Sequence, residues 1–384
     1  MSWTVSLENS ELSDAEVDAY LDVLKGGWLT MGPRTQEFER MFGTMIGVEG
    51  CLAVSSGAAG LQLALLGLGI GADDEVLLPA FTFVAAANAV AAVGARPVFC
   101  DTSSDHDPRL AVEDIARLVS PRTKAVILSH PFGVPAASES VEALCRDRGI
   151  RLLEDCTTAI GALAPDTERW VGAIGDAGVF SFRSDGPMPL GEGGMVVAGD
   201  DAISRHVRLL RSHAMTSVTW DRHRGHATTY DVVDIGFNYR LDEPRSAMGI
   251  RMLASLERDI EHRRALAARY LEGLRGNAEI TTPWAEDELA TAAPWGFAIL
   301  SDDREALRRR LTERRIQTTA HPAVTQLSRY RGTAECPRAE AFADRHCVVP
   351  LSSRMTEDDV DIVASAIATG SSDAGRLTDR RARG

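Results

Sequence analysis

A handful of side chains in this sequence could do chemistry. Asp155, Arg183, Asp185, His130 and His321 are the candidates for holding or moving a proton, because carboxylates and imidazoles can act as acid or base near neutral pH and a guanidinium supplies fixed charge. Each has a plain alternative: a single histidine can be a satisfied structural group, and Arg183 and Asp185 can be solvated loop residues. Ser55-Ser56-Gly57-Ala58 precedes a helical stretch, where free backbone N–H groups would receive an anion such as a phosphate. A simple capped turn is the other reading.

The elements that must position these residues follow from periodicity. Between about residues 50 and 200, short apolar runs (Val76-Leu77-Leu78, Pro97-Val98-Phe99, Ala125-Val126-Ile127-Leu128, Arg151-Leu152-Leu153 and Gly178-Val179-Phe180) alternate with helical stretches such as Leu61 to Leu68 and Val141 to Asp147. That rhythm predicts an α/β fold on a mainly parallel sheet flanked by helices. Ligands bind such sheets at the carboxyl ends of the strands, where Asp101, His130, Glu154, Asp155 and Ser181 stand. Ser13-Asp14-Ala15-Glu16 reads as a capping box opening a first helix that Gly26 and Gly27 close. Gly67-Leu68-Gly69-Ile70-Gly71 follows a helix rather than a strand, so it reads as a helix end and not a dinucleotide loop. The expected organisation is a large domain over 1–243, with its first helix contributing to the smaller part. A long helix from about Pro244 to Gly276 and a small α/β domain follow to residue 369, then a tail over 370–384 expected to be disordered.

The bulk composition excludes several classes. With 384 residues, 45% hydrophobic and 25% charged, the chain reads as an ordinary globular protein. A formal charge of -14 argues against a nucleic-acid partner, and no apolar run is long enough to span a membrane. No signal-peptide pattern opens the chain, so the expected location is the cytoplasm. Its six cysteines are scattered without a C-x-x-C pair, which suits reduced, buried thiols better than a zinc site or a disulfide framework. No metal site is expected.

Seven segments, in order, carry a resemblance. They are Gly27-Trp28-Leu29-Thr30-Met31-Gly32-Pro33, Val54-Ser55-Ser56-Gly57-Ala58-Ala59, Pro79-Ala80-Phe81-Thr82-Phe83-Val84, Glu154-Asp155, Phe180-Ser181-Phe182, Gly191-Glu192-Gly193-Gly194 and Gly236-Phe237-Asn238-Tyr239-Arg240-Leu241. Together they resemble the DegT/StrS-type nucleotide-sugar aminotransferases, fold-type-I enzymes dependent on pyridoxal phosphate. The resemblance implies a phosphate site at Ser56, Gly57 and Ala58, with Ala58 lacking the family's hydroxyl. It implies a ring stacked on Phe83, a carboxylate for the pyridinium nitrogen at Asp155, and a phosphate-binding hydroxyl at Ser181. It further implies that Asn238 reaches the neighbouring subunit's phosphate, hence a homodimer with composite sites, and that the substrate is a nucleotide sugar.

The pattern also breaks. The family's Schiff-base lysine lies four residues beyond the Phe of Ser-Phe, and counting from Phe182 puts Gly186 there, within Arg183-Ser184-Asp185-Gly186-Pro187-Met188-Pro189. The chain's only lysines are Lys25 and Lys124, and both read as surface residues. Thr158 stands for a glutamine and Ile160 for a histidine beside the ring. Ordinary transamination through an internal aldimine is therefore not expected. Three functions remain open: an enzyme of small-molecule biosynthesis using non-covalently bound pyridoxal or pyridoxamine phosphate on a keto sugar or similar polar substrate, an enzyme using the same pocket without cofactor, and a non-catalytic partner of another biosynthetic enzyme.

Overall fold

The computed structural model describes residues 3–7, 12–165, 167, 169–217, 220, 223–225 and 228–368. The tail over 370–384 lies outside them. Two helices come first, α1 (Asp14–Gly26) and α2 (Pro33–Ile46). The Glu16 N–H donates to the Ser13 hydroxyl while the Glu16 carboxylate accepts the Ser13 N–H at 2.7 Å, the reciprocal cap read from the sequence. Gly27, at φ 79°, closes α1 in the left-handed region.

Strands β1 (Cys51–Val54), β2 (Glu75–Pro79), β3 (Arg96–Cys100), β4 (Thr123–Ser129), β5 (Arg151–Asp155), β6 (Ala177–Ser181) and β7 (Gly194–Val197) form one sheet in the order β1-β7-β6-β5-β4-β2-β3. All neighbouring pairs from β6 across to β3 are parallel, whereas β7 runs antiparallel to both β6 and β1. Helices α3 (Gly57–Gly67), α4 (Val84–Ala92), α5 (Val112–Leu118) and α6 (Ser138–Arg148) lie between strands in the chain. The central strands are buried on both faces, which is why they read as unbroken apolar runs. The Gly67–Gly71 run ends α3 and turns the chain, with Gly69 at φ 77°.

After α7 (Asp201–Leu210), the 31-residue helix α8 (Glu243–Gly273) packs against α1 and α2, ending three residues before the sequence reading placed its end. Beyond it, β8 (Phe297–Leu300) and β9 (His346–Val349) form a small antiparallel sheet accompanied by α9 (Arg304–Glu313), α10 (Pro337–Arg345) and α11 (Glu357–Ala368). The boundary read at residue 243 falls at the start of α8, yet one apolar core crosses it. Phe81, just after β2, meets Phe342 of α10 and His346 of β9 at ring-centroid distances of 4.7 and 5.0 Å. Phe132 packs on Trp284 and Trp295. Those contacts fold the C-terminal part over the carboxyl end of the sheet.

Candidate active site

Four strands end at one cavity. Segments after β2, β4, β5 and β6 supply Thr82, Phe83, Ser129, Asp155, Thr157, Thr158 and Arg183, and the C-terminal part adds Trp295 and His321, around about 550 Å³ of open volume.

Asp155 is the last residue of β5, and the parallel register with β4 sets it beside Ser129. The Thr157 hydroxyl donates to Asp155 Oδ1 at 2.7 Å and the Thr157 N–H adds a second bond at 3.2 Å. The Ser129 hydroxyl donates to Oδ2 at 3.3 Å and lies 3.0 Å from the Thr82 hydroxyl. No ion pair involves Asp155 among the described residues. A nearly buried carboxylate held by two hydroxyls and one backbone N–H, without a paired cation, is suited to receive positive charge from a ligand.

Phe83 precedes α4, and its side chain is 59% exposed at the cavity, an unusual position for a large aromatic unless its face receives another flat group. Beside it, the Ser56 hydroxyl accepts the Ala59 N–H at 3.1 Å and fixes the first turn of α3. Gly57 presses against two loops: a Cβ there would lie 2.9 Å from Ser181 Cβ and 3.1 Å from Thr157 Cγ2. Only a glycine brings the α3 N-terminus this close to Ser181, which makes a cradle of backbone N–H groups and one hydroxyl suited to a phosphate. Ala58 is exposed and contributes no hydroxyl.

Arg183 lies with its guanidinium 4.4 Å from the Trp295 ring centroid and pairs with Asp185. His321 lines the same cavity. Burial first, and then Arg183, lower its pKa below the ordinary histidine value against an opposing pull from Asp185, so the ring is neutral at pH 7. The His321 backbone N–H donates to His346 Nε2 at 2.9 Å, and His346 Nδ1 donates to the Ala343 carbonyl.

Two expected residues, His130 and Asp185, are not where the sequence reading put them. His130 is fully buried and does not line the cavity: its Nδ1 accepts the Ala136 N–H at 3.0 Å and its Nε2 lies 3.4 Å from Glu154, so the ring braces the turn after β4. Asp185 faces a neighbouring cavity rather than this one. Asn238 is exposed, on a segment that bridges to Ser212, and lies outside the cavity lining of this chain. Thr158 does line the cavity, with its hydroxyl donating to the His130 carbonyl at 2.9 Å.

Other residues escaped the sequence reading. Asp-x-Thr is a local signal that could have found Thr157. Nothing local marks Trp295, which the fold delivers from well over a hundred positions away. Arg263 of α8 secures it, donating to the Pro294, Trp295 and Leu351 carbonyls.

Neither lysine belongs to the site. Lys25 is 75% exposed at the end of α1, where it pairs with Asp22. Lys124 sits near the amino end of β4, about 16 Å from Ser129 at the strand rise of an extended chain. Phe83 and Asp155 could receive the ring of a pyridoxal-type cofactor and the Gly57–Ser181 cradle its phosphate, and the cavity lining holds no side-chain amine.

A mainly parallel sheet with one antiparallel strand and a long helix leading to a small C-terminal sheet are the arrangement of the fold-type-I aminotransferase class. The model of the DegT/DnrJ/EryC1/StrS aminotransferase family matches residues 10–368, and the chain belongs to that family. Its fold is similar to that of the aminotransferase TlmJ from Streptoalloteichus hindustanus, with a TM-score of 0.87, 32% identity, and 95% of this chain and 98% of that chain covered. The sugar aminotransferase CalS13 from Micromonospora echinospora gives a TM-score of 0.85 and 29% identity over 95% of this chain and 99% of that one. A curated relative, the uncharacterized protein MJ1066 of Methanocaldococcus jannaschii, is 30% identical over 93% of this chain and 95% of its own length. No helix among the described residues is long and apolar enough to cross a membrane.

Proposed function

We propose that this protein holds pyridoxamine or pyridoxal phosphate without a covalent bond and uses it on a keto sugar or similar polar substrate, carried as a nucleotide sugar, in small-molecule biosynthesis. The observation behind this reading is a cavity lined by Asp155 and Phe83 and by no lysine, with the Gly57–Ser181 cradle lying behind its lining residue Thr157. When bound, the cofactor would supply an electron sink for bonds at the carbon attached to its nitrogen. Phe83 would support the ring face, and the N–H groups of Gly57 and Ala58 with the Ser181 hydroxyl would hold the phosphate. Asp155, fixed by Thr157 and Ser129, would keep the proton on the pyridine nitrogen. His321, neutral at pH 7, is the group able to accept a proton from the substrate side.

A second reading, cofactor-free catalysis in the same cavity, draws on Arg183, stacked on Trp295 inside the site, and on Thr157, which already occupies Asp155 Oδ1. A homodimer is part of the proposal. Tyr230, Val232, Val233 and Ile235, the last 83% exposed, put large apolar side chains on the surface of the segment leading to exposed Asn238, and a second copy would cover them. Sedimentation of the wild type and Ile235→Asp tests that, and a monomeric wild type would refute it.

The deciding experiment is an absorbance spectrum and native mass of the purified protein, alone and after dialysis with each vitamer, followed by borohydride. A cofactor that adds mass only in the native state supports the proposal. Absence of binding overturns it in favour of the cofactor-free reading, and a borohydride-fixed adduct on a lysine overturns the non-covalent mode.

A further inference from the structure

The turn after β6 holds a cation and an anion two residues apart. Arg183 Nη2 donates to one Asp185 carboxylate oxygen at 2.9 Å, while Nε lies 2.5 Å from the other without forming a hydrogen bond and is left as a buried, unpartnered N–H. A guanidinium recognises a carboxylate best through two parallel N–H···O bonds, and Asp185 supplies only one of them. The pair also lies across a wall: Arg183 lines the active-site cavity, Asp185 lines a second cavity of about 650 Å³, and Trp295 and His321 line both.

We propose that Arg183 is a receptor for a ligand carboxylate and that Asp185 is an internal placeholder filling it in the free protein. The Trp295 ring under the guanidinium sets its plane and shields one face from water, which strengthens the remaining polar contacts. With His321 neutral, Arg183 is the fixed cation of this lining. Asp185 is only partly buried and makes no other hydrogen bond or ion pair among the described residues, although its charge also acts on Arg263 and His321. Gly186 follows it, with no heavy atom closer to a built Cβ than the Arg183 carbonyl at 3.4 Å, so the turn has room to move. Once displaced, the Asp185 carboxylate has Gln317, Thr318 and Thr319 around the second cavity to receive it. The substrate or co-substrate of this pocket is thereby assigned a carboxylate group. This inference rests on the cavity being the ligand site, as proposed above, but not on the cofactor it holds.

The test is a ¹⁹F NMR titration of the full chain with 4-fluorobenzoate and with its neutral counterpart 4-fluorobenzamide, in wild type, Asp185→Asn and Arg183→Gln. Pyridoxamine phosphate is titrated separately by absorbance. Wild type should prefer the benzoate, and Asp185→Asn should tighten benzoate by about tenfold while leaving the benzamide unchanged, because one competing charge-assisted hydrogen bond is removed. Arg183→Gln should abolish the preference. Equal benzoate affinity in wild type and Asp185→Asn overturns the placeholder, and a preference that survives Arg183→Gln overturns the receptor. Tightening cannot arise from misfolding, so Asp185→Asn decides the matter even if Arg183→Gln is unstable. Failure of pyridoxamine phosphate to bind sinks the cofactor reading and leaves the benzoate result standing.

Discussion

Replacing Gly133 by Ala tests how Trp295 is held over the site. Gly133 sits in the turn after β4 at φ 85°, and a built Cβ lies 1.9 Å from the Ala293 carbonyl oxygen and 3.0 Å from that of Thr158. The same turn receives the C-terminal part through two backbone bonds, from the Ala293 N–H to the Gly133 carbonyl at 2.8 Å and from the Trp295 N–H to the Phe132 carbonyl at 3.0 Å. A side chain in the left-handed region costs about 1–2 kcal/mol. Relieving the overlap requires the two segments to part, losing both bonds at about 0.5–1.5 kcal/mol each. The total is about 2–5 kcal/mol, which for a chain of this size lowers Tm by about 2–6 °C. Gly186→Ala is the control, since its nearest contact is 3.4 Å and its φ is not positive; it should stay within about 0.5 kcal/mol of wild type. Scanning calorimetry at one scan rate reads both variants, and tryptophan fluorescence reports whether Trp295 has loosened. A Gly133→Ala protein melting within about 1 °C of wild type would refute the close-approach argument.

Gly186→Lys should restore covalent capture of pyridoxal phosphate, seen as a borohydride-reducible mass adduct mapped to position 186; a variant that folds, binds the cofactor and forms no adduct would show that the amine cannot reach the ring from this turn. Thr157→Val removes the 2.7 Å bond to Asp155 and should weaken pyridoxamine phosphate about tenfold, as expected for one hydrogen bond to a charged group, with unchanged affinity counting against Asp155 as the ring partner. Acid should also loosen the site at His346. Burial first, and then His321, push its pKa down to about 3 from an unfolded value of 6.5. The folded state therefore favours the neutral ring, and this contribution is intact above pH 6.5 and lost as pH falls from there toward 3. Thermal unfolding across that window should fall more steeply in wild type than in His346→Gln, and parallel profiles would remove His346 from the account.

Much of the frame could be read from residue order. Each apolar run named between residues 76 and 180 falls within a strand; those in the central parallel strands bury both faces and leave no polar alternation to confuse the pattern. The capping box at Ser13 and the glycine stop at Gly27 were legible because caps are local hydrogen-bond chemistry. Asp155 could be placed at the cavity because a strand end in a parallel sheet faces the ligand crevice. The short β1 and β7 went unread, since a four-residue antiparallel strand carries too little pattern to separate it from a buried turn.

By itself, then, the sequence determined the sheet, the order of its strands' chemistry and the scarcity of lysine, all of which depend on near neighbours or simple composition. Tertiary structure decided which polar residues share a cavity. It turned His130 inward to brace a turn, set Asp185 on the far side of the Trp295 wall, and delivered Trp295 and His321 from the C-terminal part. Those placements depend on packing between segments far apart in the chain, where a side chain's direction is fixed by partners that no local periodicity encodes.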